Sequence, residues 1–146
     1  MKMATAIHEN YLLVHVLNRF GIKLGFGDRT IEEICKEKGI PPFFFLEIIN
    51  TFNDEDYFPN EKLKTFSVAD IVAYLEKTHQ HYIGKLLPQI GAHINNVVEH
   101  NRHQDYFELV RNFFEEYANE LKDHTDYEDD TVFPYCRVVE DVASGQ

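Results

Sequence analysis

"ELKDHTDYEDDTVFP", residues 120–134, decides how the chain is read. The stretch runs at helical spacing, yet His124 and Glu128 stand one turn apart where such a pattern normally carries leucine. Upstream the same seam holds Val110, Phe114, Tyr117 and Leu121, and downstream Val132, at intervals of three and four that mark one face of a helix. A carboxylate on that face must be paired, protonated or bound to a cation, because an isolated buried charge costs on the order of several kcal/mol. Hydrogen bonding or exposure at a frayed helix end explains either residue taken alone. An HxxxE step does more, since it brings two donors to one place.

The preceding helical stretch supplies a third donor. Its seam reads Val72, Leu75, His79, Tyr82 and Leu86, then His93, Val97 and His100. If the two stretches form an antiparallel hairpin turning near residues 102 and 103, facing residues have numbers totalling about 205, which sets His79 level with the HxxxE pair. His93 falls roughly 20 Å farther along a helix rising about 1.5 Å per residue, and His100 lies nearer the turn. His81 has the right level but points about 200° from His79, toward solvent or a supporting position. Tyr82 and Tyr117 share the two seams, either as core aromatics or as hydrogen-bond donors beside the ligands. Glu120, one turn before His124, either orients it or faces water. His100 and His103 read as a polar turn.

Composition bounds the class of protein. With 146 residues, 44 % hydrophobic and 14 % aromatic, the chain can bury a sizeable core in one or two domains. A formal charge of −11 opposes a nucleic-acid footprint, which relies on clustered Lys and Arg. No apolar run approaches the ~20 residues that span a bilayer, and the start, "MKMATAIHENYLLVHVL", lacks a small-residue cleavage site, so a cytoplasmic protein is expected. Cys35 and Cys136 are far apart and outside any CxxC pattern, which leaves them as buried thiols.

Helical spacing dominates and strand alternation is absent, which makes the fold class all-α. Ile7 to Phe20 reads as one helix closed by Gly21. In "GIKLGFGDRTIEEICKEKGI", Thr30 and Glu33 form a capping box and Gly39 ends a short helix. Pro41 and Pro42 open "FFFLEIINTF". "NDEDYFPNEKLKTF" reads as a linker, giving a small N-terminal helical domain over 1–58 and a long antiparallel helical hairpin over 59–146. Ser67 and Asp70 make a second capping box, starting a helix to about Asn101. Asp105 to about Asp130 forms the next, and Pro134 begins a final short one. "GFGDRT" lacks the GKS/T ending and preceding strand of a phosphate loop. The two helices around Gly39 have helix-turn-helix rhythm, but the second carries Glu47, no Lys or Arg, and runs into "NDED", which repels phosphate. Packing of Phe43, Phe44, Phe45 and Leu46 into a small core is the stronger reading.

"YLEKTHQHYIGKLLPQI" followed by "ELKDHTDYEDDTVFP" resembles the first half of a hemerythrin-like (HHE cation-binding) domain, in which a His on one helix and an HxxxE on the next bind a non-haem di-iron centre. Upstream, "GIKLGFGDRTIEEICKEKGI" is similar to the small N-terminal domain of the repair-of-iron-centres proteins, di-iron proteins linked to recovery of iron–sulfur clusters after nitric oxide or oxidative damage. The resemblance implies metal ligation by His79, His124 and Glu128, with the two imidazoles terminal and Glu128 bridging or chelating. Iron is the cofactor implied, with zinc or manganese compatible with the same donors. Nitric oxide and dioxygen are the ligands implied.

The chain departs from that family twice. Gly25 and Phe26 stand where the family's N-terminal domain has a Cys-Cys pair, which removes the thiol chemistry of that pair. The family domain has four helices and two ligand sets, whereas this chain supplies one hairpin and one set. It is therefore expected either to be a piece of a longer protein or to pair as a homodimer that completes a four-helix bundle. Two functions follow: a non-haem di-iron protein of nitrosative or oxidative stress and iron–sulfur repair, or a non-catalytic metal- or gas-sensing interaction module.

Overall fold

The computed structural model describes residues 1–101 and 104–145; His103, read as part of a polar turn, lies outside them. Among the described residues the secondary structure is helical, apart from one isolated bridge between Lys2 and Thr30. No helix among them is long and apolar enough to cross a membrane. The chain divides into two units, Met1–Ser67 and Val68–Gln146.

The first unit contains α1 (Met3–Glu9), α2 (Leu13–Arg19), α3 (Ile31–Lys38), α4 (Pro42–Asn53) and α5 (Asn60–Leu63). The single helix expected from Ile7 to Phe20 is in fact two. Asn10 breaks it: its backbone is extended at φ −142, and its Oδ1 accepts the Leu12 N–H at 3.0 Å, offering the chain a turn in place of another helical bond. At the start of α3 the capping box forms, with Glu33 N–H donating to Thr30 Oγ1 at 3.2 Å and Thr30 N–H to Glu33 Oε2 at 2.8 Å. Gly39 closes α3 at φ 66, a left-handed position that costs glycine no Cβ clash. "GFGDRT" is the turn that feeds α3, and its Arg29 Nε donates to the Phe26 carbonyl at 3.1 Å. Met3, Leu13, Val16, Leu17, Ile34 and Phe45 form the centre of the core. Cys35 lies in it, and burial pushes its thiol up to about 11, which leaves it unreactive near neutral pH.

The charged stretch after α4 belongs to this unit, so the boundary expected between residues 58 and 59 falls instead after Ser67. Glu47 is the reason. Its buried carboxylate accepts from Lys62 Nζ at 2.7 Å and from the Tyr57 hydroxyl, and Phe66 packs its ring 5.1 Å from that of Phe44. Burial works to raise the Glu47 carboxyl, but the hydrogen bonds from Lys62 and Tyr57 and the Lys62 charge hold it below its ordinary value of 4.5. Because the folded value is depressed, the stabilisation is present above pH 4.5 and is lost as pH falls through the folded value. Acid titration should therefore unfold the wild type with a steeper loss of stability below that point than Glu47→Gln, as read by helical circular dichroism.

The second unit is a hairpin of two long helices. The first runs through α6 (Val68–His81), a π turn (Tyr82–Leu86) and α7 (Leu87–His100). The second runs through α8 (Asp105–Tyr127), a π turn (Glu128–Val132) and α9 (Phe133–Ser144). The separate short helix expected at Pro134 is thus the continuation of α8, since the backbone stays right-handed helical at Glu128, Val132 and Phe133. Pro134 sits in the first turn of α9, where the π turn has already altered the bond that proline cannot make.

Three contacts fix the register. The Phe114 ring lies 3.2 Å from where a Cβ on Gly91 would stand, so this glycine admits a close approach of the two helices. Farther on, His79 meets Glu128 and Asp129. At the open ends, the Glu140 carboxylate accepts the N–H groups of Val68 and Ala69 at 2.7 and 3.1 Å and so helps cap α6. Between the first contact and the second the pairing slips by about two residues. Gly91→Val should lower stability by about 1–3 kcal/mol through overpacking against Phe114. Gly84→Ala, where an added Cβ meets nothing within 4 Å, should be neutral or stabilising by up to about 1 kcal/mol in urea unfolding.

Candidate metal centre

His79 lies in the last turn of α6, and the hairpin's packing buries it. Its neighbour Thr78 and, on the facing helix, Thr125 are also buried. Each hydroxyl is satisfied within its own helix, donating to the Tyr74 carbonyl at 2.9 Å and the Lys122 carbonyl at 3.0 Å. These small side chains let the helices approach. Phe133, from the "VFP" segment, stacks on the His79 imidazole with centroids 5.5 Å apart and planes 18° off parallel.

Three side chains from the two helices then meet. His79 Nε2 is 3.3 Å from Glu128 Oε2, and His124 Nε2 is 3.4 Å from Glu128 Oε1, so one carboxylate stands between two imidazoles. A fourth group was missed by sequence reasoning: Asp129 Oδ1 is 2.8 Å from His79 Nδ1. Its signal in the sequence was the run "EDD", which reads as a solvated helix face when each residue is assumed to turn about 100° from the last. Exposure rises across the cluster, with side chains 11 % exposed at His79, 30 % at Glu128 and 64 % at His124.

A proton count bears on what this arrangement can hold. Ionised carboxylates only accept hydrogen bonds, and a neutral imidazole carries one N–H. His79 has a carboxylate oxygen at each ring nitrogen, so one of the two contacts needs a second proton or a cation. Two imidazoles and a carboxylate are donors suited to iron, zinc or manganese. Among the described residues no group of three or more His, Cys, Asp or Glu side chains has a metal-holding arrangement.

The remaining candidates lie outside the cluster. His81 is half-buried with its ring 6.3 Å from that of Tyr82, the first residue of the π turn. Tyr117 is exposed and about 10 Å from His124 along the helix, too far to donate to it within one chain. Glu120 is exposed. His93 lines an apolar groove of about 270 Å³ with Ile94, Val97, Val98, Phe107 and Val110, and His100 Nδ1 is 2.8 Å from the Asn96 carbonyl. A cleft of about 300 Å³ reaches the edge of the cluster, lined by His79, Gln80, Ile83, Gly84, Thr125, Asp126 and Asp129.

No family model, curated protein or solved structure matches the chain. The energetic weight of the cluster can be tested with no metal present. His79→Ala should cost about 2–3 kcal/mol in urea unfolding of metal-free protein, because it removes the stack on Phe133, takes the imidazole away from Asp129 and leaves Glu128 with His124 alone. His124→Ala, at an exposed position, should stay within about 0.5 kcal/mol.

Proposed function

We propose that the hairpin is a metal-binding module of the hemerythrin-like kind, with His79, His124 and Glu128 as ligands to non-haem iron. The observation that carries this reading is the placement of Glu128 between two imidazole Nε2 atoms from different helices, with His79 facing a carboxylate at both nitrogens. Zinc or manganese suits the same donors. Iron held by three protein ligands supplies open positions for a small ligand such as nitric oxide or dioxygen. The chain's own part is to hold the imidazoles at fixed orientation, shield His79 under Phe133 and leave the His124 side accessible. A role in nitrosative or oxidative stress and the repair of iron–sulfur centres rests on the resemblance in sequence.

The same reading includes a homodimer. His124 continues an exposed stripe of α8, with Tyr106, Val110, Phe113 and Tyr117 at helical spacing before it, and the facing helix exposes Ile90 and Val97. Half the ligands of a di-iron centre therefore stand on an apolar surface, and a second copy of this chain supplies both the other half and the cover. Joining the two stripes makes a four-helix bundle around four histidines and two glutamates.

Elemental analysis of anaerobically purified protein, together with its solution mass, tests both parts. Iron near one atom per chain in a dimer is expected. Glu128→Ala and His124→Ala should abolish bound iron while His100→Ala retains it. Equal loss in all three, or a monomer that keeps its metal, would overturn the site or the dimer respectively. Nitric oxide turnover by the loaded protein supports the redox role, whereas ligand-dependent partner binding without turnover marks a sensor.

A further inference from the structure

We infer that Asp129 is a positioning residue: it holds the single proton of neutral His79 on Nδ1, so that Nε2 presents its lone pair to the space shared with Glu128 and His124. This rests on the metal-binding reading above, but the geometry stands by itself. Two carboxylates compete for one imidazole proton. Asp129 Oδ1 is 2.8 Å from Nδ1, a full hydrogen bond, whereas Glu128 Oε2 is 3.3 Å from Nε2. The shorter contact claims the proton, and Nε2 is left as the metal-ligating atom.

The π turn is what allows it. Glu128 and Asp129 are consecutive residues, and on a regular α-helix their side chains would diverge by about 100°. Both belong to the π turn Glu128–Val132, and both reach opposite edges of the same ring on the other helix. Phe133, which follows that turn directly, stacks on the ring face, so two edges and a face of His79 are held by residues 128, 129 and 133. A ring clasped in this way cannot flip to exchange its nitrogens without breaking the Asp129 bond. Such turns recur where a helix must place side chains out of the ordinary order.

The competition predicts what happens when Asp129 is removed. The proton moves to Nε2, where Glu128 becomes its acceptor, and the nitrogen that would bind metal is capped. Long-range proton–nitrogen correlation spectra of metal-free protein, recorded as a pH series, read this directly in the range where the ring carries one N–H. Wild type should show the His79 proton on Nδ1, Asp129→Ala on Nε2, and Asp129→Asn again on Nδ1, since the amide oxygen accepts the same bond. Zinc(II) titrated alone against a chromophoric chelator should bind about 10–100-fold more weakly to the Ala variant than to wild type, with most of the loss restored by Asn.

Retention of the Nδ1 proton in Asp129→Ala would overturn the assignment. So would equal loss of zinc affinity in the Ala and Asn variants when both unfold at the wild-type temperature. If no variant and not the wild type binds zinc or iron, the metal-binding reading fails, and the proton positions alone still decide the role of Asp129.

Discussion

Each helix of a pair turns one stripe toward its neighbour and the rest toward whatever lies beyond, and in residues 68–144 both of those surfaces carry apolar side chains. The inner stripe is thin. Its buried members are Val72, Thr78, His79, Val98, Thr125 and Phe133, three of them polar. Little hydrophobic burial therefore holds the helices together, and directed contacts carry more of the work than in the first unit, whose core is almost wholly apolar. The Gly91–Phe114 approach, the His79 cluster and the Glu140 cap are spread along the hairpin at intervals, each setting register where a packed seam would otherwise do so. The His79 cluster is thus part of the fold's own fastening.

Much of this was legible in the sequence. Interval counting along one antiparallel hairpin set His79 level with His124 and Glu128, because two straight helices share a common rise per residue and a level needs only the position of the turn. The capping box at Thr30 was legible because it is written within four residues. The division of the α8 seam was not. Val110, Phe114, Tyr117, Leu121, His124 and Glu128 share a face by spacing, yet Phe114 and Leu121 turn inward while Val110, Tyr117 and His124 are exposed. A stripe about 100° wide is broad enough to serve two neighbours, and spacing does not say where the first ends.

The π turns were equally silent, since one inserted residue leaves intervals of three and four intact on both sides. Asp129 was hidden by the same cause: its direction depends on a local change of pitch that no residue type announces. Asn10 was a different failure. The apolar pattern ran through it, and a side-chain hydrogen bond to the backbone outcompeted the pattern. Glu47 was read for what its charge excludes, and its cation, fifteen residues later in a stretch that looked like a tether, supplies what it does.

That last pairing bears on where the polypeptide can be severed. The charged run from Asp54 to Phe66 has the composition of a protease-sensitive tether, yet Tyr57, Lys62 and Phe66 are anchored to α4. A peptide bond broken between residues 58 and 59 would sever Lys62 and Phe66 from covalent attachment to the helix they rest on. The Glu47 carboxylate would then keep its cation by affinity alone, at the entropic cost of holding a separate fragment. Scission just after Ser67 disturbs none of these contacts, so a boundary chosen from the contact pattern and one chosen from composition divide the same molecule into pieces of unequal integrity.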